Sequence, residues 1–329
     1  MMKAAVFKTM GSAVDVLEIV ELDNPVPGHG EVLVRLHCSA VNPSDAKKRA
    51  GGFPDLLKDG FIIPHSDGAG VIEAVGRGVP ESRIGERVWV YQAQYGRRFG
   101  TAAEYVTLES KLAVWLPDNI EFDVGACMGI LGMTAHRCVF ADGPVENKTI
   151  LVTGGAGRVG HYAIQWAKYA GAQVIATASN PEAEKYCYAA GADAVCSHQG
   201  DELINLVKDI TAGQGVDRVV DCEFGANLPV FLEVLATGAT IATYGSMVVP
   251  EPLLPFRRMM FMDLTIRMVL VYAMPESAKM DAIDDITELL GRDLLQHRIA
   301  HRKPIEKIAE AHNLIEEGGF YGAVIVETE

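Results

Sequence analysis

The densest chemical signal in the chain is the run Leu151-Val152-Thr153-Gly154-Gly155-Ala156-Gly157-Arg158-Val159-Gly160, in which Gly155, Gly157 and Gly160 satisfy G-x-G-x-x-G. In a glycine-rich chain the bare pattern means little. Here an apolar strand over 149–153 precedes it and a helical pattern over 161–170 follows, which is the setting of a dinucleotide loop. Gly155 then permits the tight turn, Gly157 lets a pyrophosphate approach the backbone, and Gly160 lets helix pack on strand. Gly154, Ala156, Arg158 and Val159 complete the cradle, since first-turn N–H groups and the helix dipole hold the anion. The competing reading is a glycine turn with no ligand.

An NAD-binding fold places Asp or Glu at the end of its second strand, about 20 residues on, to accept from the ribose 2′-OH. Here that end reads Ala176-Thr177-Ala178-Ser179-Asn180 and contains no acid. A 2′-phosphate meets no repulsion and finds Ser179, Asn180 and, from the next helix, Lys185, with Arg158 as a second cation within reach. Lys185 reads equally well as a solvated residue paired with Glu182 or Glu184. NADPH is expected over NADH. Ligands bind beyond the carboxyl ends of such strands, so Glu223 after the fourth strand and Tyr244-Gly245-Ser246 after the fifth are further cofactor candidates.

The elements that position these groups divide the chain in two. A length of 329 residues is about two domains' worth, with 49% hydrophobic and 22% charged residues as in ordinary globular chains. Residues 3–115 hold short β-rich runs (4–7, 14–20, 32–38, 69–75, 87–90 and 103–106) broken by Gly and Pro, which predicts a compact, partly closed β domain. A helix is expected through 125–139. From Lys148 continuous apolar strands (149–153, 173–177, 194–197, 217–221, 239–244 and 264–271) alternate with helices (161–170, 182–189, 202–211 and 228–235). That alternation makes an α/β fold with a doubly wound parallel sheet. A helix near 305–316 and a strand over 323–327 find no partner in that sheet and are expected to return to the first domain. The division predicted is residues 1–122 with 272–329 against 123–271.

A net charge of −14 without a basic stripe argues against nucleic acid. The six cysteines show no C-x-x-C, and the N-terminus lacks a signal peptide's apolar core, so a reducing, cytoplasmic setting without a membrane span is expected. The apolar run 264–271, left at a sheet edge, invites pairing with a second copy and predicts a homodimer.

Several segments outside the glycine loop carry a resemblance. They are Val41-Asn42-Pro43-Ser44-Asp45, the run from Ile63-Pro64-His65-Ser66-Asp67-Gly68 to Gly76, Ile84-Gly85-Glu86-Arg87-Val88, Gly100-Thr101-Ala102-Ala103-Glu104-Tyr105, Thr134-Ala135-His136-Arg137 and Ala309-Glu310-Ala311-His312. Together with the domain order they resemble the medium-chain dehydrogenase/reductase superfamily, and specifically its zinc-free, zeta-crystallin-like quinone oxidoreductase branch. The resemblance implies a GroES-like β-rich catalytic domain and a Rossmann domain. Where zinc-dependent relatives hold their metal, this chain has Asn42, Ser66 beside Asp67, and Met128, and an amide and a thioether do not replace thiolates. No metal is expected. The chain departs from its relatives at Lys47-Lys48, where they often carry tyrosines.

Without a Lewis acid the acceptor must supply its own electron deficiency, as a quinone or α,β-unsaturated carbonyl does, and a hydrogen-bond donor at its oxygen then suffices. By resemblance Asn42 faces the nicotinamide; as an Asn before Pro43 it equally stabilises a turn. Asp45 either orients its neighbours or caps a helical turn. Lys48 either donates to an enolate oxygen or faces solvent, and His65 is either a donor or a satisfied buried imidazole. Tyr91 either stacks on a planar substrate or packs in the core. Thr134 resembles a position near the nicotinamide. The function expected is NADPH-dependent reduction of a quinone, with an enone or alkenal reductase as the alternative and a crystallin-like or RNA-binding NADPH protein as the non-enzymatic one.

Overall fold

The computed structural model describes residues 1–58, 60–198 and 200–328. It separates into two compact units, Met1–Ile130 with Ile283–Glu329, and Leu131–Ala282. In the first unit β1 (Met2–Val6) and β2 (Glu18–Leu22) form an antiparallel pair. The main sheet is built on β3 (Glu31–Val41), which pairs antiparallel with β4 (Asp67–Val75) and β6 (Tyr105–Glu109), while β5 (Arg87–Val90) joins β4 to β7 (Ala113–Trp115). Burial alternates along β3 as far as Leu36, where Val32, Val34 and Leu36 meet Ile72, Val88 and Leu108. From Cys38 onward both faces of β3 are enclosed. The polar residues that follow therefore lie inside the unit, where each must find a partner.

The second unit is a parallel sheet of β8 (Thr149–Val152), β9 (Gln173–Ala178), β10 (Ala194–Ser197), β11 (Val216–Asp221), β12 (Leu235–Thr243) and β13 (Thr265–Met268), ordered β10-β9-β8-β11-β12-β13. The strand order reverses between β8 and β11, which is where a doubly wound sheet opens its ligand crevice. Helices Arg158–Tyr169, Pro181–Ala189, Gly200–Ile210 and Phe224–Val234 connect the strands. The chain then returns to the first unit with β14 (Ile299–Pro304) and β15 (Ala323–Glu327). β15 pairs antiparallel with the end of β3, as the tail's lack of a partner in the parallel sheet predicts. Among the described residues no helix is long and apolar enough to cross a membrane.

Several sequence expectations are corrected. The strand expected over 14–20 begins as a helical turn, Ala13–Val16, because Ser12 starts it: its carbonyl accepts from Val16 N and its hydroxyl donates to Asp15. The strand expected over 103–106 starts at Tyr105, since Thr101 and Ala102 donate their N–H groups to His65 and Pro64 in a tight crossing. The helix expected through 125–139 is three pieces, Phe122–Gly125, a π-helical Met128–Gly132 and Met133–Phe140. Its ladder is interrupted where Ile130 N donates to the buried Asp67 carboxylate instead of to a helical carbonyl. A π-bulge of this kind often marks a functional site.

The strand expected over 264–271 is only Thr265–Met268, after which the chain enters a 3-10 turn, Val271–Ala273. Beyond Met268, Val269, Val271 and Tyr272 turn inward and are buried, while Leu270 stays exposed. The helix Glu276–Gly291 and β14 go beyond the sequence expectation.

Candidate active site

In the second unit the glycine loop stands between β8 and the helix Arg158–Tyr169, and its glycines divide the work differently from the expectation. Positive φ, +56°, falls on Gly154, not Gly155. Gly155 is instead a packing glycine, since an added Cβ would stand 2.9 Å from Ala176 Cβ, Cys187 Sγ and Ile164 Cδ1. At Gly160 a Cβ would stand 2.4 Å from the Gly154 carbonyl oxygen. Gly157, exposed, leads into the first helical turn and donates to Gly154 O at 2.8 Å. Thr177 on β9 anchors the loop, accepting from Gly154 N at its hydroxyl and from Gly155 N at its carbonyl, both at 3.0 Å. Ala156 is buried; Arg158 and Val159 are half-buried at the helix start, and burial lowers the Arg158 pKa against the opposing effect of Tyr244. The result is a turn whose backbone is bared toward the end of β8, and it fits a dinucleotide pyrophosphate.

A carboxylate absent from the sequence expectation organises the neighbouring strand ends. Asp221, the last residue of β11, is fully buried and accepts from Thr153 Oγ1 at 2.7 Å, Asn227 Nδ2 at 2.9 Å and Glu223 N at 3.1 Å. It ties β8 to β11 at the switch point. Burial raises its pKa while these donors pull the other way. Glu223 is occupied elsewhere: its carboxylate accepts from the N–H groups of Met247 at 2.6 Å and Val248 at 3.0 Å, and those backbone bonds hold its pKa below the usual range despite the cost of burial. It shapes the loop after β12 rather than presenting a free acid. In the same loop Ser246 Oγ accepts from Gly225 N at 2.9 Å and donates to Val249 O at 2.6 Å, and Gly245 O accepts from Phe224 N at 2.8 Å. Tyr244 N donates to Asp221 O at 3.1 Å.

At the end of β9, Ser179 and Lys185 are exposed, and Asn180 caps the helix Pro181–Ala189 by accepting from Ala183 N at 2.9 Å. Thr134 is buried on the helix Met133–Phe140.

The first unit brings Asn42, Asp45, Lys48 and His65 into one buried polar cluster, all at most 5% exposed. Pro43 opens a short helix, Pro43–Lys47, and Asp45 Oδ2 accepts from Asn42 N at 2.9 Å, so Asp45 does cap a helical turn. Lys48 does not face solvent. Its Nζ donates to Ser66 Oγ at 3.3 Å, and burial lowers its pKa against the pull of Asp45 and Asp67.

Asn42 Nδ2 donates to Asp67 Oδ2 at 3.1 Å and Ile130 N donates to the same oxygen at 2.7 Å. Asp67 Oδ1 has no hydrogen-bond partner among the described residues and faces Gly129, where a Cβ would stand 2.2 Å from it. Burial pushes Asp67 up to about 8 and Asp45 up to about 6, the dominant cause in each. Such a cluster offers amide, ammonium and hydroxyl donors around a carboxyl that keeps its proton near neutrality.

Asp67, Ser66 and His312 are the members that carry no site role in the sequence expectation. The signal available was the stretch Pro64-His65-Ser66-Asp67 directly before a strand, which could only be weighed once β4 was known to start in the interior. His65 sits at φ +73° with its ring bonded to Ser39 and His312, a satisfied buried imidazole. Tyr91 is buried, its ring tilted against Trp89 at 5.7 Å and its Cβ beside Gly129, so it packs in the core. The donor set does not fit zinc. Cys127 points back to Asp123 O at 3.2 Å, His65 is engaged, and among the described residues no three His, Cys, Asp or Glu are grouped to hold a metal.

Two family descriptions match the chain: an alcohol dehydrogenase GroES-like domain over residues 28–118 and a zinc-binding dehydrogenase over 159–288. The chain is 32% identical over 238 residues to the Arabidopsis thaliana chloroplast envelope quinone oxidoreductase homolog, covering 70% of this chain and 71% of that one. It is 29% identical over 306 residues to Homo sapiens quinone oxidoreductase, covering 92% and 90%. A mycobacterial quinone oxidoreductase structure is similar with a TM-score of 0.88 at 28% identity, covering 99% of this chain and 100% of that one. A mycobacterial structure complexed with NADPH is similar at a TM-score of 0.86 and 27% identity, covering 99% and 100%.

Proposed function

Because the chain belongs to the quinone oxidoreductase branch of the medium-chain dehydrogenase/reductase superfamily, and is thus an oxidoreductase, we propose that it reduces a quinone or a similarly electron-poor conjugated carbonyl with NADPH, without zinc. The observation that carries this reading is the buried donor cluster of Asn42, Lys48, Ser66 and Asp67, in which Asn42 and Ser66 are the residues that resemble, in sequence, the metal-holding positions of zinc-dependent relatives. When bound, NADPH would supply a hydride, whose electron pair would become negative charge on the acceptor's conjugated oxygen; a preorganised donor there would lower the barrier in a dry site. Asn42 and Lys48 are the residues proposed to donate, with Asp45 and Asp67 orienting them; a proton from water completes the two-electron reduction.

NADPH is proposed over NADH because the end of β9 presents Ser179, Asn180 and Lys185 and no carboxylate. The pyrophosphate would be held by Gly154, Gly155, Ala156, Gly157, Arg158, Val159 and Gly160. The loop Tyr244-Gly245-Ser246, shaped by Glu223, and Thr134 are proposed on the nicotinamide side.

A homodimer through β13 is also part of the reading: the strand is at the sheet edge, and Phe256, Phe261, Met268 and Leu270 around it are exposed. All six cysteines are free, in keeping with a reducing, cytoplasmic setting. Steady-state NADPH oxidation with a panel of quinones and enones tests the function. Quinone-dependent oxidation is expected. Turnover of enones alone moves the assignment to double-bond reduction, and no turnover of either refutes it.

A further inference from the structure

The first unit buries a second polar run that the proposed chemistry does not use. Arg49 Nε donates to His312 Nδ1 at 3.4 Å, and His312 Nε2 meets His65 Nε2 at 2.9 Å. His65 Nδ1 meets Ser39 Oγ at 2.8 Å, Ser39 Oγ meets Thr101 Oγ1 at 2.7 Å, and Thr101 Oγ1 donates to the Asp67 carbonyl at 2.6 Å. Arg49, His312, His65, Ser39 and Thr101 are all fully buried. At its outer end Arg49 also donates to Gly11 O and pairs with the half-exposed Glu316 at 2.6 Å.

The direction of this run is fixed from both ends. A guanidinium only donates, so His312 Nδ1 is bare and the proton of the neutral ring sits on Nε2. That proton points at His65 Nε2, which must be bare, leaving the His65 proton on Nδ1 for Ser39. From the other end a carbonyl only accepts, and Asp67 O lies 2.6 Å from Thr101 Oγ1 and 3.4 Å from Ser39 Oγ, so the Ser39 proton goes to Thr101 or to that carbonyl and in either case Ser39 accepts from His65. Both deductions arrive at the same tautomer of His65. A second proton on either ring would set N–H against N–H, on His312 facing Arg49 and on His65 facing His312.

We propose that His312 and His65 form a permanently neutral, fixed-tautomer relay that positions the Lys48–Ser66–Asp67 site from the helix Ile308–Glu317. Its attachments support that role: Arg49 follows Lys48, His65 precedes Ser66, and the last acceptor is the Asp67 carbonyl itself. His65, held at φ +73°, needs such support, because a non-glycine residue there is uncommon and must be held by its surroundings. Burial lowers the basicity of both rings, His312 to about 3, as a chain of neutral imidazoles requires; Lys48 and Arg49 are the cations facing them. Both histidines are positioning residues and neither donates a proton to the acceptor.

The tautomers can be read directly. In long-range nitrogen–proton NMR spectra of the whole protein with labelled histidine, His312 is expected as Nε2–H and His65 as Nδ1–H, with neither ring titrating between about pH 5 and 8. A proton on His65 Nε2, or titration of either ring in that range, overturns the relay. The kinetic arm rests on the proposed function. His312→Phe removes both links, and His312→Gln keeps one acceptor and one donor.

H312F is expected to lower kcat on the order of ten- to a hundredfold with NADPH binding unchanged, and H312Q to recover much of it. Wild-type kcat in H312F refutes the positioning role. The wild-type spectrum needs no variant and decides the relay even where H312F does not fold. Absence of quinone turnover in the wild type counts against the function without touching the tautomers.

Discussion

Replacing Asp67 with Asn probes a carboxyl that the fold keeps protonated. Asp67 is fully buried, its Oδ2 is filled by Ile130 N and Asn42 Nδ2, and its Oδ1 is pressed toward Gly129. Burial is the main reason its pKa stands at about 8 against an ordinary 3.8, with the Ile130 and Asn42 donors and Lys48 offsetting only part of that cost. Between those two values the folded chain holds a proton that the unfolded chain has released. The native state therefore binds more protons, and stability falls as pH rises from about 4 toward about 8. One such group contributes at most about 1.4 kcal/mol per pH unit across that window.

Asn offers an acceptor oxygen to Ile130 N but does not titrate, so D67N should lack this slope. The unfolding free energy of D67N minus that of the wild type should rise by about 1 kcal/mol for each pH unit between about 5 and 7. Guanidinium unfolding of both proteins over that range measures it, and taking the difference cancels the similar contribution of Asp45. A difference that stays constant with pH refutes the protonated carboxyl.

NADPH should bind more tightly than NADH, K185A should weaken NADPH selectively by about ten- to a hundredfold, and S179D should reverse the preference; equal Kd values for the two cofactors in the wild type would overturn the assignment. The donor set around Asp67 predicts full activity after exhaustive chelation, and one zinc per chain by elemental analysis would contradict it. For the dimer, Met268→Asp and Leu270→Asp should each shift sedimentation toward monomer, and a wild-type monomer at micromolar concentration rejects the interface. Proline at Val269 is a poor probe, because Val269 N already donates to Thr243 O at 2.7 Å inside its own sheet.

Sequence alone determined what is local or periodic. The glycine loop, the continuous apolar strands after Lys148 and the acid-free end of β9 are readable because each depends on residues adjacent in the chain, so the doubly wound sheet follows from spacing. The returning tail is legible for a similar reason, since a strand without a partner in a parallel sheet must pair elsewhere. Tertiary structure alone decided the polar cluster.

Lys48, Asp67 and the adjacent pair Gly129-Ile130 lie apart in sequence, and nothing near Ile130 announces that its N–H will leave the helical ladder for the Asp67 carboxyl. The same holds for His65 and His312, which meet at 2.9 Å across 247 residues. Whether a lysine is a solvated charge or a buried donor, and whether a carboxyl is ionised, depends on the surroundings that remove water from it, and those surroundings are assembled only when β3, β4 and the returning C-terminal segment close around one another.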